Sequence, residues 1–386
     1  MYGHMKADML PEGYPQFFER GDGCRIWDVD GHEYIDFVCS YGPIVLGHRH
    51  PAVEAAAARQ LASADCQNGP AAVFVELAER MVDVVPAADW AMFCKNGNDA
   101  TTLCVTIARA ATGKRKVLAA RGAYHGSLPW CTEFRTGVTD EDQAHLIHYT
   151  YNDLASVEAA REEAGDDLAA ILVSAFQHDA FVDQALPEPA FARRLREICD
   201  RTGAALLLDD VRAGFRLHRG GSWEGVGVRP DLSAWGKALA NGWPISAVTG
   251  VDALRRAATR VFATGSYWFG AAPMAAALAT LEALDASDAL GRMRAAGQTL
   301  RDGLDAQARS HGFSLRQTGP VQMPMVLFED DPERATGNRF CSEALKRGVY
   351  LHPWHNMFLC AAHTPDDVKQ ALERTDEAFA ALRRSR

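Results

Sequence analysis

The chain has 386 residues, 48% of them hydrophobic and 23% charged, enough for one large domain and a smaller one, each with a buried core. Forty basic residues against fifty acidic ones leave a net charge of -10, and neither sign gathers into a long block, so the electrostatic footprint of a nucleic-acid binder is absent. Nine cysteines run from Cys24 to Cys360 without a Cys-x-x-Cys spacing, which suits reduced core thiols better than a disulfide framework or a zinc site.

In chain order, Met1 to Leu10 has no basic segment leading into an apolar one, and no later stretch approaches the ~18 apolar residues of a membrane span. The expectation is a cytoplasmic protein that engages no membrane. Ile26-Trp27-Asp28-Val29-Asp30-Gly31 is a hairpin signal, and a two-stranded ribbon alone is marginal in water, so it should pack on another domain. Short apolar runs then read as strands buried on both faces: Ala91 to Cys94, Lys116 to Ala120, Leu168 to Val173 and Ala204 to Leu208. Between the first two, Ala100, Leu103, Cys104, Ile107, Ala108 and Ala111 recur at helical spacing, with Gly113 as a stop. Strand and helix in alternation imply an α/β fold, a mostly parallel sheet covered on both sides. After Pro273 the chain turns alanine-rich and helical to about Asp285, then continues in amphipathic helices with a strand-like Met323 to Phe328. The expected division is an N-terminal segment 1–40 packed on the small domain, a large cofactor-binding domain 41–285 and a small α+β domain completed by 286–386.

Four motifs carry candidate chemistry. Lys95-Asn96-Gly97-Asn98-Asp99-Ala100 lies between a strand and a helix start, where free backbone N–H groups and the helix dipole favour a phosphate; the plainer reading is a helix cap. Tyr124-His125-Gly126 follows the Lys116 strand, at the carboxyl end where open sheets bind ligands and an aromatic ring can stack on a flat cofactor. Asp209 closes the Ala204 run, and a carboxylate there favours a protonated pyridine ring, with Val211 supporting the ring face opposite Tyr124. Alternatively Asp209 or Asp210 caps a helix or pairs with Arg212, Arg216 or Arg219. Lys237, one of seven lysines, lies among small and apolar residues, where burial lowers its pKa and favours a nucleophilic amine that forms a Schiff base and moves protons. A lysine and an aspartate so placed are what pyridoxal phosphate needs.

The order of these motifs resembles the class III, or subgroup II, pyridoxal-phosphate aminotransferases of fold type I, in the glutamate-1-semialdehyde aminomutase-like branch. The resemblance also takes in Asp28-Val29-Asp30-Gly31, Ser40-Tyr41-Gly42-Pro43 with Leu46-Gly47-His48, Asp209-Asp210-Val211 with Gly214-Phe215-Arg216, Pro230-Asp231-Leu232 and Gly348-Val349-Tyr350-Leu351. It implies that Asn96, Gly97 and Asn98 serve the cofactor phosphate, that Tyr124, with His125 beside it, stacks on the ring, and that Lys237 forms the internal aldimine. It further implies a homodimer with active sites at the interface, where the Ser266 hydroxyl reaches the neighbour's phosphate. Ser40, Tyr41, Trp268 and His352 become candidate substrate contacts.

The sequence departs from that family's pattern at several points. Asp210 stands where a glutamate is usual, Asn98-Asp99 where threonine-glutamate is common, and Ser266-Tyr267-Trp268-Phe269 brings aromatic rings where small residues are common. The segment after Gly126, with Trp130, lacks the gating loop of the semialdehyde aminomutases. His352 and His355 are separated by Pro353 and lack a third ligand, which argues against a metal. The leading expectation is an aminotransferase working on a small amine and a carbonyl acceptor. Rivals are an aminomutase, a decarboxylase or racemase on the same scaffold, and a non-catalytic ligand sensor.

Overall fold

The computed structural model describes residues 6–384; residues 1–5 and 385–386, parts of the expected terminal segments, lie outside the described residues. The strands are β1 (Phe18–Asp22), β2 (Arg25–Asp28), β3 (Glu33–Asp36), β4 (Trp90–Cys94), β5 (Lys116–Ala120), β6 (Leu146–Tyr149), β7 (Leu168–Ser174), β8 (Ala205–Asp209), β9 (Leu232–Trp235), β10 (Ser246–Gly250), β11 (Leu315–Thr318), β12 (Met325–Phe328) and β13 (Val349–Tyr350). The helices are α1 (Pro51–Ser63), α2 (Val73–Val84), α3 (Gly97–Thr112), α4 (Leu154–Ala164), α5 (Pro189–Thr202), α6 (Asp252–Ala258), α7 (Ala271–Asp285), α8 (Ala289–Ser310), α9 (Ala335–Leu345) and α10 (Pro365–Arg384). Among the described residues no helix is long and apolar enough to cross a membrane.

The chain divides into two units: Met1–Pro51 with His178–Ala185 and Ala283–Arg386, and Ala52–Gln177 with Leu186–Glu282. Two features differ from the expected division. The first unit runs to Pro51, and it takes in His178–Ala185 from the middle of the chain. That excursion is tied down by long-range contacts: the Phe181 ring stacks on Trp354 with centroids 4.6 Å apart, the Phe181 N–H donates to the Trp354 carbonyl, and Arg316 grips Asp183 at 3.0 Å. In the same unit the hairpin of β2 and β3 joins a four-stranded sheet, β1-β2-β3-β13, with β13 parallel to β3, which resolves the marginal stability of a lone ribbon.

The second unit is built on a seven-stranded sheet ordered β4-β10-β9-β8-β7-β5-β6. Only β10 runs against its neighbours β4 and β9; the remaining pairings are parallel. Side chains alternate across such strands, and here the alternation sorts two cores. Val117, Ala119, Ala170, Leu172, Ala205 and Leu207 pack with α3 residues Ala100, Cys104, Ile107 and Ala108. Leu118, Ala120, Ile171, Val173, Leu206 and Leu208 pack with α4 and α5 residues such as Val157, Phe191 and Leu195. Continuous apolar runs are the result, because neither face of these strands meets water. All nine cysteines are free, and all but Cys66 are buried.

The sheet tolerates no extra carbon at Gly250, the last residue of β10. A Cβ there would lie 2.3 Å from Trp90 Cζ2 and 2.5 Å from Leu232 Cδ2. Gly250→Ala should therefore cost about 1–3 kcal/mol of stability through overpacking, visible as a lower urea midpoint and melting temperature; an unchanged midpoint would contradict this packing.

Candidate active site

The alternation that sorts the cores also decides which acid faces which way. Asp209 continues the Ala205 and Leu207 face toward α3, and Asp210 continues the Leu206 and Leu208 face. Both acids are buried, so both need partners. Asp209 Oδ2 lies 2.7 Å from His125 Nδ1, and Oδ1 accepts the Val211 N–H at 3.2 Å. Asp210 accepts the backbone N–H and the hydroxyl of Ser222, at 2.8 and 2.5 Å. Burial nevertheless raises the Asp210 pKa from 3.8 to about 6, against those two hydrogen bonds and with a smaller push from Asp209. The pair therefore divides into one acid pointing to the candidate ligand face and one braced within the opposite core.

Opposite Asp209, the β4–α3 turn is drawn tight. Asp99 Oδ2 accepts the N–H groups of Lys95 and Asn96 at 3.1 and 2.8 Å, so the capping reading is met by Asp99 as well as by Asn96, the N-cap. The first-turn N–H groups of Gly97 and Asn98 have no intrahelical carbonyl to bind, which leaves them suited to an anion. Gly97 is required by the approach of Val211, whose Cγ1 would lie 2.8 Å from a Cβ at that position.

The Tyr124-to-Ser127 loop is stitched to the same helix start. Thr101 Oγ1 donates to the His125 carbonyl at 2.8 Å, Asn98 Nδ2 donates to Ser127 Oγ at 3.2 Å, and the Ser127 N–H donates to Asn98 Oδ1 at 3.0 Å. Gly126 allows this closeness, since it sits at φ +135° and a Cβ would lie 2.2 Å from Asn98 Oδ1. The expected phosphate contact of Asn98 is thus left to its backbone, its side chain being engaged by Ser127. Tyr124 keeps 48% of its surface open, an aromatic face available for stacking, whereas the His125 imidazole turns inward to Asp209. Ser127 was missed by the sequence reading; its only local signal is its place directly after Gly126.

Lys237 follows β9 at the same carboxyl end of the sheet and opens a 3-10 turn, Lys237–Ala240, with φ +45°. A left-handed conformation at a non-glycine residue is strained and is held here by the surrounding structure. Gly236 before it is extended and packed, with Ser246 Oγ 2.8 Å from where a Cβ would be. Lys237 retains some exposure, yet the protein packed around its amine lowers the pKa from 10.5 to about 7; Arg212 and Arg216 add to the fall and Asp209 opposes it. The two arginines are part of the site's electrostatics, a role the sequence reading did not give them.

The remaining candidates fall in both units. In the first, Cys39, Ser40 and Tyr41 form a left-handed run at φ 48°, 55° and 63°. His352 Nδ1 accepts the N–H groups of Trp354 and His355 at 3.4 and 3.1 Å, so its Nε2 carries the proton that meets Tyr41 Oη at 3.3 Å. Burial holds the Tyr41 hydroxyl up at about 12, with Asp36 adding to the rise. In the second unit Trp268 is half-buried against the α3-side core, Ser266 is exposed, and Tyr267 leaves most of its ring open.

These residues fit pyridoxal phosphate. A helix start offers amides to a phosphate, Tyr124 offers an open ring, Asp209 offers a fixed carboxylate, and Lys237 offers an amine that is substantially neutral near pH 7. Comparison with known proteins agrees. Residues 9–378 match the family model described as aminotransferase class-III. A relative from Sphingopyxis macrogoltabida, aminopentol aminotransferase, is 50% identical over 384 residues, covering 100% of this chain and 91% of its own length. A glutamate-1-semialdehyde 2,1-aminomutase from Syntrophobacter fumaroxidans is 32% identical over 392 residues, covering 95% of this chain and 90% of that protein. Among solved structures, the PLP internal aldimine form of the Sphingopyxis sp. MTA144 FumI protein matches with a TM-score of 0.99 at 50% identity, covering 100% of this chain and 93% of that one.

The lysine's depressed pKa has a sign that can be tested without cofactor. Between about pH 7 and its unperturbed 10.5, the unfolded chain holds a proton on Lys237 that the folded chain has released, so stability rises with pH across that window, and the penalty is complete below it. Cofactor-free wild type should be less stable than Lys237→Met at pH 6, with the gap in urea midpoint closing as pH climbs toward 10. A pH-independent gap would refute the depressed pKa.

Proposed function

The chain belongs to the class-III aminotransferase family, and from that premise we infer which of its residues serve each part of the reaction. It is a pyridoxal-phosphate-dependent aminotransferase with the fold type I architecture. Bound pyridoxal phosphate supplies the aldehyde over which a lysine and a donor amine exchange, and a protonated ring that takes up the electron pair of a carbon losing its proton.

In our reading the Gly97 and Asn98 amides, with Asn96 at the cap, hold the phosphate. Tyr124 and Val211 support the two ring faces, and Asp209 faces the ring nitrogen. Lys237 makes the covalent attachment and, once displaced by the donor, carries a proton from one carbon to the next. The observation that carries this assignment is the Lys237 amine, lowered to about 7 at the same strand ends as the clamped Asp209 carboxylate; a proton shuttle works best with a pKa near the working pH. The protein acts as a cytoplasmic homodimer, with the exposed Ser266 hydroxyl presented to the partner's phosphate. Ser40, Tyr41, Trp268 and His352 contact substrate. The 50% identical relative is named for an aminopentol, and we propose a hydroxyl-rich amine as the donor for this chain also, to which the Tyr41 hydroxyl is suited as an uncharged hydrogen-bonding group oriented by His352 Nε2.

With amine donor alone, the holoenzyme should release about one equivalent of carbonyl product per site and stop, then resume when an oxo acid acceptor is added. Continued turnover of a single compound without acceptor would favour an aminomutase. Lys237→Ala should lower the rate of the first half by at least about a hundredfold, the lower end of what a positioned proton-transfer group contributes.

A further inference from the structure

Away from the cofactor residues, three bulky side chains carried at left-handed φ belong to one row of contacts: Tyr41 at 63°, Phe181 at 69° and Arg334 at 61°. Such a backbone is costly for a residue with a side chain and persists where the surroundings over-determine it. The row runs from Arg334 through Phe181, Trp354 and His352 to Tyr41, all within the first unit. Arg334 Cζ lies 4.6 Å from the Phe181 ring centroid, a cation over a π face. The Phe181 ring lies nearly flat on Trp354, 4.6 Å away and 20° from parallel. The indole is pinned as well by its Nε1–H, which donates to the Met9 carbonyl at 2.9 Å, and it meets the His352 ring at 86° with centroids 4.4 Å apart.

His352 Nδ1 receives the amides of Trp354 and His355 at 3.4 and 3.1 Å, so the adjustable quantity is the tilt of the ring, and with it the reach of Nε2 to Tyr41 Oη. That reach is 3.3 Å, at the long end for a hydrogen bond to oxygen. A small change of tilt therefore decides whether the Tyr41 hydroxyl is oriented or left to rotate. Phe181 keeps 39% of its surface exposed, more than a ring held for burial alone would keep.

We propose that Phe181 is a positioning residue for donor recognition: capped by the Arg334 guanidinium, it fixes the plane of Trp354, which sets the tilt of His352 and so the direction of the Tyr41 hydroxyl. This deepens, and rests on, the reading that Tyr41 contacts a hydroxyl of the donor. A phenol oxygen that accepts from Nε2–H has its own O–H turned elsewhere, and a hydroxyl oxygen on the donor is a match for it. The excursion of His178–Ala185 into the first unit brings this one aromatic face to Trp354. It is held there by Arg316 on Asp183 at 3.0 Å and by the Gln184 N–H on Thr318 Oγ1 at 2.9 Å.

The test measures kcat and KM of the holoenzyme for aminooctanols bearing the hydroxyl at successive carbons, with octylamine as the hydroxyl-free reference. Wild type should prefer one aminooctanol over octylamine in kcat/KM. Phe181→Leu should lower that preference about tenfold, the scale of one hydrogen bond, through KM for the aminooctanol and with octylamine kinetics within about twofold of wild type. Phe181→Tyr, which keeps the flat ring, should retain the preference, and Arg334→Gln should reduce it about twofold to fivefold. Equal losses on both amines in Phe181→Leu would mark a merely structural role and overturn the proposal, as would a preference that neither Phe181→Leu nor Arg334→Gln moves while Tyr41→Phe abolishes it. If wild type shows no preference, or Tyr41→Phe leaves it intact, the reading of Tyr41 fails and this inference with it.

Discussion

A carboxylate buried at the end of a strand that meets no water on either face must be given partners by the fold itself, and Asp209 is where this requirement organises the site. The strand β8 is apolar and buried through Leu208, so the chain reaches Asp209 with no solvent to hydrate it. Its partners come from two directions: the Val211 N–H from its own following turn and His125 from the loop after β5. Satisfying one acid therefore fixes the relation between two strand ends that are separated in the sheet by β7. The acid next to it solves the same problem on the other face with Ser222, and a single strand thereby presents one carboxylate to ligand chemistry and uses the other as internal bracing.

The loop after β5 then carries that constraint to the β4–α3 turn. His125 answers to Asp209 through its ring and to Thr101 through its carbonyl, while Ser127 answers to Asn98. Two positions, His125 and Ser127, are thus tied to β8 and to the first turns of α3, with Gly126 between them supplying the backbone conformation that a side chain would block. Tyr124, at the head of the loop, keeps its ring half open. The candidate ring support, charge and anion site share a single short frame, and such sharing is what holds a functional constellation to small tolerances.

Much of this is legible in the sequence, for a physical reason. Strands covered on both faces become uninterrupted apolar runs, so β4, β5, β7 and β8 stood out, and α3 announced itself by spacing and by Gly113, its left-handed cap. Lys237 and Asp209 were readable because small and apolar residues surround them. Other features depend on contacts between distant residues. Whether Asp209 or Asp210 faces the α3 side is set by which helix covers which face, and alternation along β8 alone cannot decide it. The placement of His178–Ala185 with the first unit rests on Phe181 meeting Trp354 and Asp183 meeting Arg316, pairings with no local signature. The reversed strand β10 is a matter of chain direction, which a run as short as Ser246–Gly250 does not encode.

The lysine shows how backbone strain and electrostatics serve one purpose. A left-handed φ at Lys237 costs free energy, and so does taking an amine out of water with Arg212 and Arg216 close by. Both costs fall on the same residue, and the packed surroundings of β9 and β10, with Gly236 wedged against Ser246, prevent the chain from relaxing either. The conformation sends the side chain off the end of β9, and the lost solvation leaves it neutral enough to attack a carbonyl. Asp209 pulls the other way on the same proton, so the lysine sits near the balance point between holding and releasing it. That intermediate affinity is what a residue needs if it must take a proton from one carbon and deliver it to another without keeping it.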